Sequence, residues 1–154
     1  MPSRVDPTLI PDAPDLKLEQ ALWQQGLSCI AGLDEAGRGA WAGPVAAAAV
    51  VFTPSAIPSF DQVKIRDSKQ LSAQERADAA VVIKTLALDW GVGFASNNEI
   101  DQLGILPATR LAMARAQQAL RQPPDHLLID ALFLPDIDLP QTALLKGDQR
   151  SLSI

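Results

Sequence analysis

Ile30-Ala31-Gly32-Leu33-Asp34-Glu35-Ala36-Gly37-Arg38-Gly39 is the stretch on which the fold turns. It completes a short apolar run, Leu27 to Leu33, which predicts a strand ending at Asp34-Glu35. Ala36 to Pro44 holds Gly37, Gly39 and Gly43 and predicts a turn. Val45 to Phe52 follows. It is apolar throughout and predicts a second strand, central in its sheet. Two adjacent carboxylates between an apolar strand and a glycine turn repel one another and bring no evident structural gain.

Working outward, Leu16 to Gln25 carries Leu18, Ala21 and Leu22 at helical spacing, and Gly26 stops it. Ser72-Ala73-Gln74-Glu75 matches a capping box, so a helix should run from there to about Leu86. Trp90, Val92 and Phe94 alternate with small residues and predict a third strand. Pro107 opens a long helix bearing Leu111, Met113, Ala114 and Leu120. His126 to Ile129 predicts a fourth strand ending at Asp130, and Thr142 to Leu145 a fifth ending near Asp148. The loop after Phe52 carries Pro54 and Pro58. Strands interleaved with helices make a layered α/β domain. Residues 1–16, with Pro2, Pro7, Pro11 and Pro14, read as a loose N-terminal arm, and 17–154 as the domain.

Asp34, Glu35, Asp130 and Asp148 therefore each stand at or just past a strand end, where ligands gather in open α/β sheets. One such residue alone is more often a helix cap or a loop charge. Four converging there would need divalent cations or protonation to offset their repulsion. All-oxygen donors favour Mg²⁺ or Mn²⁺. One Cys and one His exclude a zinc site of the usual kind. Gly37-Arg38-Gly39 could bring bare backbone N–H groups and a cation to a phosphate or sugar hydroxyl beside those carboxylates. It could equally be only a tight turn.

Bulk properties narrow the class. The chain has 154 residues, 47% hydrophobic and 20% charged, which suits one globular domain with a real core. The apolar run Val45 to Phe52 is too short to span a bilayer. The single Cys29 excludes an internal disulfide framework and fits a reducing cytoplasm. The net charge of -5 argues on its face against a nucleic-acid binder. That argument weakens for a chain that clusters carboxylates to hold metal.

Taken together, Ile30 to Gly39, Ala42-Gly43-Pro44-Val45, Asp67-Ser68-Lys69-Gln70-Leu71-Ser72, Glu99-Ile100-Asp101, Gly104-Ile105-Leu106, Ala112-Met113, Leu128-Ile129-Asp130 and Lys146-Gly147-Asp148 resemble the ribonuclease HII family, in family order. The resemblance implies a ribonuclease H-like fold, a mixed five-stranded sheet flanked by helices. It implies catalytic, metal-holding carboxylates at Asp34, Glu35, Asp130 and Asp148, with Mn²⁺ or Mg²⁺ as cofactor. Gly37, Arg38 and Gly39 would read the ribose 2'-hydroxyl, and Lys69 would lie near the substrate backbone. The implied activity is two-metal hydrolysis of the RNA strand of RNA–DNA hybrids and incision 5' of single ribonucleotides in duplex DNA. The implied protein is a cytoplasmic monomer that binds no membrane.

Two departures stand out. Ala40-Trp41 occupies a position usually held by proline and an aliphatic residue, and Ala131 follows Asp130 where glycine is common. Family members also continue past the Ser-Ile segment that here is Ser153-Ile154. Residues 17–154 are therefore expected to form an incomplete catalytic domain lacking its C-terminal helices, with apolar surface bare on Val45 to Phe52 or Leu127 to Ile129. The alternatives are a catalytically impaired fragment, or a non-catalytic nucleic-acid-binding domain of the same fold.

Overall fold

The computed structural model describes residues 6–56 and 68–154. Pro58 and Asp67 lie outside the described residues. Five strands form one mixed sheet: β1 (Ile30–Ala36), β2 (Val45–Val51), β3 (Asp89–Ala95), β4 (His126–Asp130) and β5 (Gln141–Leu144), in the order β3-β2-β1-β4-β5. β1 pairs antiparallel with β2, and β2 with β3, while β4 lies parallel to both β1 and β5. This is the expected mixed five-stranded sheet. Four α-helices stand among the described residues: α1 (Lys17–Gln24), α2 (Ala73–Leu86), α3 (Asn97–Leu103) and α4 (Ile105–Gln118).

Alternation along each strand divides the sheet into two faces. On the first, Ala31, Leu33, Val45, Ala47, Ala49, Val51, Leu127 and Ile129 are buried beside Ala108, Ala112, Met113 and Ala116 of α4. That helix sits very close to β3. A Cβ on Gly91 would fall 2.3 Å from the Ala116 carbonyl oxygen, and one on Gly93 would fall 2.2 Å from that of Ala112. On the second face, α1 and the chain end cover Ile30, Leu128 and Leu144, and Ile83 and Leu86 of α2 pack on Phe52 and Val50.

Several sequence expectations are corrected. β1 continues to Ala36 because its ladder with β2 extends to the Ala36–Ala46 pair, so Asp34 and Glu35 lie within the strand and not beyond it. β2 is interior, but the middle strand is β1. α4 begins at Ile105, two residues before Pro107, and Pro107 sits in its first turn. α3 was not expected. It starts at a capping box in which Ser96 and Glu99 bond each other's backbone N–H. The capping box at Ser72 and Glu75 is present as expected. Leu127 to Ile129 is fully covered, whereas on Val45 to Phe52 the second face is only partly so: Ala48 is exposed and Ala46 and Val50 are half-buried. That partly bare face continues onto the edge strand β3, where Trp90, Val92 and Phe94 are exposed opposite Val50, Ala48 and Ala46. At the end of the expected arm, Asp15 bridges Ser151 in parallel and Leu16 is buried.

Ala131 holds a left-handed backbone, φ 52, which explains why glycine suits the residue after Asp130. Its N–H bonds the Leu144 carbonyl at 2.9 Å, so the conformation is held by the β4–β5 edge. We expect Ala131→Gly to stabilise the chain by up to about 1 kcal/mol, the αL strain relieved less the added entropy of the unfolded glycine. A urea titration would show a higher midpoint with an unchanged slope; a lower midpoint would count against this reading of the strain.

Candidate active site

Asp34 and Asp130 come from neighbouring strands on the second face. In the β1–β4 register Gly32 lies opposite Leu128 and Leu33 opposite Ile129, which carries Asp34 and Asp130 to the same end of the sheet. Asp148 is brought there by the turn after β5. Lys146 adopts a left-handed backbone, φ 56, and a 3-10 turn runs over Gly147–Gln149. The Gly147 N–H donates to Asp130 Oδ1 at 2.6 Å, which ties this turn to β4. Asp34, Glu35, Asp130, Asp148 and Lys69 all line one cavity of about 270 Å³. Ser68, Ser151, Leu152, Ser153 and Ile154 share its wall.

Burial raises the Asp34 carboxyl to about 7; Asp130, Glu35 and Asp148 push the same way, against the Glu35 N–H that Oδ1 accepts at 2.7 Å. Burial also raises Asp130, aided by Asp148 and Glu35 and opposed by the Gly147 N–H and by Lys69. Glu35 Oε1 accepts from Arg38 Nη1 at 3.0 Å, while its Oε2 is buried with no hydrogen-bond partner among the described residues. Carboxylates forced together in this way, one with an orphaned oxygen, fit a divalent cation by donor chemistry. Among the described residues, no three His, Cys, Asp or Glu side chains close on one point tightly enough to hold a metal as they stand.

The glycine turn stands apart from the cavity wall. Gly37, at φ +99, must be glycine: a Cβ there would meet the Pro44 carbonyl oxygen at 2.8 Å. Gly39 faces open space, with nothing within 4 Å of a built Cβ. The Arg38–Glu35 ion pair is the link between turn and cavity. Trp41 on this turn is fully exposed.

Three residues of the site region escaped the sequence reading. Glu19 is buried, and its Oε1 accepts from Ser151 Oγ and from the Ser153 backbone N–H and Oγ. A signal existed. Glu19 precedes Leu22 by three residues and Trp23 by four, so it lies within the apolar stripe of α1.

A family model described as Ribonuclease HII matches residues 31–151. A curated ribonuclease HII from Chloroflexus aurantiacus is 54% identical over 142 residues, covering 92% of this chain and 67% of its own length. Among solved structures, the ribonuclease H2 from Pyrococcus horikoshii OT3 superposes with a TM-score of 0.64 at 24% identity, over 79% of this chain and 64% of that one. A Bst-RNase HIII solved in complex with Mn²⁺ gives a TM-score of 0.64 at 23% identity, over 86% of this chain and 50% of that one. These two share the fold. The chain spans about two thirds of the length of the curated relatives it matches.

Proposed function

Because the chain belongs to the ribonuclease HII family, we propose that it serves a metal-dependent endonuclease acting on RNA paired to DNA, both in hybrids and at single ribonucleotides in duplex DNA. The observation that carries this reading is the meeting of Asp34, Glu35, Asp130 and Asp148 on one cavity with Lys69 at its wall. Asp34, Glu35, Asp130 and Asp148 would hold Mg²⁺ or Mn²⁺. The Mn²⁺ of the RNase HIII crystal belongs to that protein; for this chain the expectation rests on the carboxylates. When bound, such ions supply an activated water and offset charge on the leaving 3'-oxygen.

The chain's own groups then divide the work. Glu35 is held by Arg38 at 3.0 Å, which fixes one oxygen and leaves the other for a ligand. Asp130 is oriented by the Gly147 N–H. Lys69 is exposed at the cavity wall, where its charge suits a substrate phosphate. Gly37, Arg38 and Gly39 would meet the 2'-hydroxyl, which both donates and accepts and so separates ribose from deoxyribose. No helix among the described residues is long and apolar enough to cross a membrane. The reading takes the protein as a monomer in the cytoplasm.

A second reading, a catalytically impaired fragment or a non-catalytic binder of the same fold, draws on one observation: the carboxylates line a common cavity without three of them closing on a point. One assay separates the two. A duplex with one embedded ribonucleotide and an RNA–DNA hybrid are incubated with the chain in Mn²⁺, in Mg²⁺ and in EDTA. Metal-dependent cuts leaving 5'-phosphate and 3'-hydroxyl ends support the first reading and contradict the second. Duplex binding without cutting supports the non-catalytic binder, and neither binding nor cutting supports the impaired fragment.

Gly39→Ala tests the turn on a nuclease-competent form. The added methyl meets nothing in the protein, so folding should be untouched, and a loss of incision would report crowding against substrate. We expect cleavage at a single ribonucleotide to fall by roughly tenfold or more, within the range of small misplacements near a reacting centre. Unchanged incision would remove the turn from substrate recognition.

A further inference from the structure

We propose that Glu19, which is not one of the four site carboxylates, is a positioning residue: by anchoring residues 151–153 through buried hydrogen bonds, it holds the turn that carries Asp148 against Asp130 and Asp34. Glu19 lies on α1 and is 1% exposed. Its Oε1 accepts from Ser151 Oγ at 2.6 Å, from Ser153 N at 3.1 Å and from Ser153 Oγ at 2.5 Å. Its Oε2 is buried with no partner among the described residues. Burying a carboxylate costs several kcal/mol unless it is well bonded. A leucine here would avoid that cost but would leave the buried donors of Ser151 and Ser153 without this acceptor. Helix packing therefore does not account for the carboxylate, whereas three donors from one segment do.

That segment leads directly into the site. Ser151, Leu152, Ser153 and Ile154 all line the cavity. Going backward, the Ser151 and Arg150 N–H groups both donate to the Gly147 carbonyl at 2.9 Å, and the Gly147 N–H donates to Asp130 Oδ1. The intervening turn carries Asp148. Going forward, the Ser153 backbone rests on Gly32, where an added Cβ would fall 2.2 Å from its carbonyl carbon. Gly32 lies two residues before Asp34 on β1. Glu19 thus fixes a segment that touches the Asp148 turn on one side and β1 on the other, and so adds Asp148 to a pair that the β1–β4 ladder already aligns. Without it, that segment keeps the backbone contacts of Ser151 and Leu152 to Asp15 as its ties to the start of α1.

Amide hydrogen exchange of the metal-free chain tests this independently of the proposed activity. In Glu19→Ala the Gly147 amide should lose protection by roughly tenfold or more, while the sheet amides of Leu33 and Ile129 keep theirs. The Mn²⁺ affinity, which rests on the function proposed above, should fall by roughly ten- to a hundredfold, as for other groups that orient ligands. Glu19→Gln retains an acceptor oxygen for the serines and should lose less on both counts. An unchanged Gly147 amide, or a uniform loss across the sheet, would overturn the assignment, the second outcome marking a purely structural residue. If Glu19→Ala fails to fold, the doubly substituted Ser151→Ala, Ser153→Ala chain removes two of the donors and must loosen Gly147 in the same selective way. A chain whose Gly147 responds as stated but which binds no Mn²⁺ would uphold the positioning role and defeat the metal reading.

Discussion

Asp34→Asn is expected to raise the melting temperature of the metal-free chain at pH 7 and to shrink the further rise on adding Mn²⁺. The Asp34 carboxyl titrates at about 7 in the fold, against an ordinary value of 3.8. The folded chain therefore holds this proton more tightly than the unfolded chain, and stability declines as pH rises from near 4 to near 7. At neutral pH the ionised group costs the fold at most about 4 kcal/mol. Asparagine removes the charge and keeps an oxygen for the Glu35 N–H. The gain should shrink as pH falls and vanish below about pH 4, where both side chains are neutral. With metal the gap should narrow, because an ion at a hundred times its dissociation constant stabilises the unmodified chain by about 2.7 kcal/mol and the variant by less. The check is a set of melts at pH 4 and pH 7, in EDTA and in Mn²⁺. A variant that melts no higher in EDTA at pH 7, yet responds equally to Mn²⁺, would defeat both halves of this account.

Gly32→Ala should be among the most damaging single changes to the fold. The new Cβ would lie 2.2 Å from the Ser153 carbonyl carbon and 2.5 Å from the Ile154 nitrogen. These are backbone atoms, so no flexible side-chain end can give way. Either β1 bows out of a sheet it centres, or residues 153–154 lift off and break the Ser153 bonds to Glu19. We expect a loss of about 3 kcal/mol, the upper part of the usual overpacking range. For a chain of this size that lowers the melting temperature by roughly 10 °C. Gly39→Ala is the matched control, since its Cβ meets nothing. Equal melts for the two variants would show that the chain end does not press on β1.

Much of this molecule was legible because its signals are local. Short apolar runs gave β1, β2, β4 and β5, alternation with small residues gave β3, and the serine and glutamate at 72 and 75 gave the start of α2. Asp34, Glu35, Asp130 and Asp148 could be paired with strand ends, and they do share a cavity. What escaped depends on pairing and on faces. β1 runs past Asp34 because β2 lies opposite as far as Ala46, and a run of apolar residues cannot show where a partner strand stops. α3 is short and polar, so its capping box had no apolar periodicity to support it. Glu19 was passed over although it lies in the apolar stripe of α1, because its partners are 132 and 134 residues away. The bare face of β3 was likewise missed, because its alternation reports a strand without saying which side a helix covers.

The central claim is that the cavity at the end of β1 and β4 is a divalent-metal site built from carboxylates. Calorimetric titration of Mn²⁺ into the folded chain, and into Asp34→Asn and Asp130→Asn under the same conditions, tests it most directly. The account predicts saturable binding by the unmodified chain and affinity at least roughly tenfold weaker in each variant, no less than the loss when a group that only orients a ligand is removed. Equal affinity in all three proteins, or no saturable binding in the first, would contradict it.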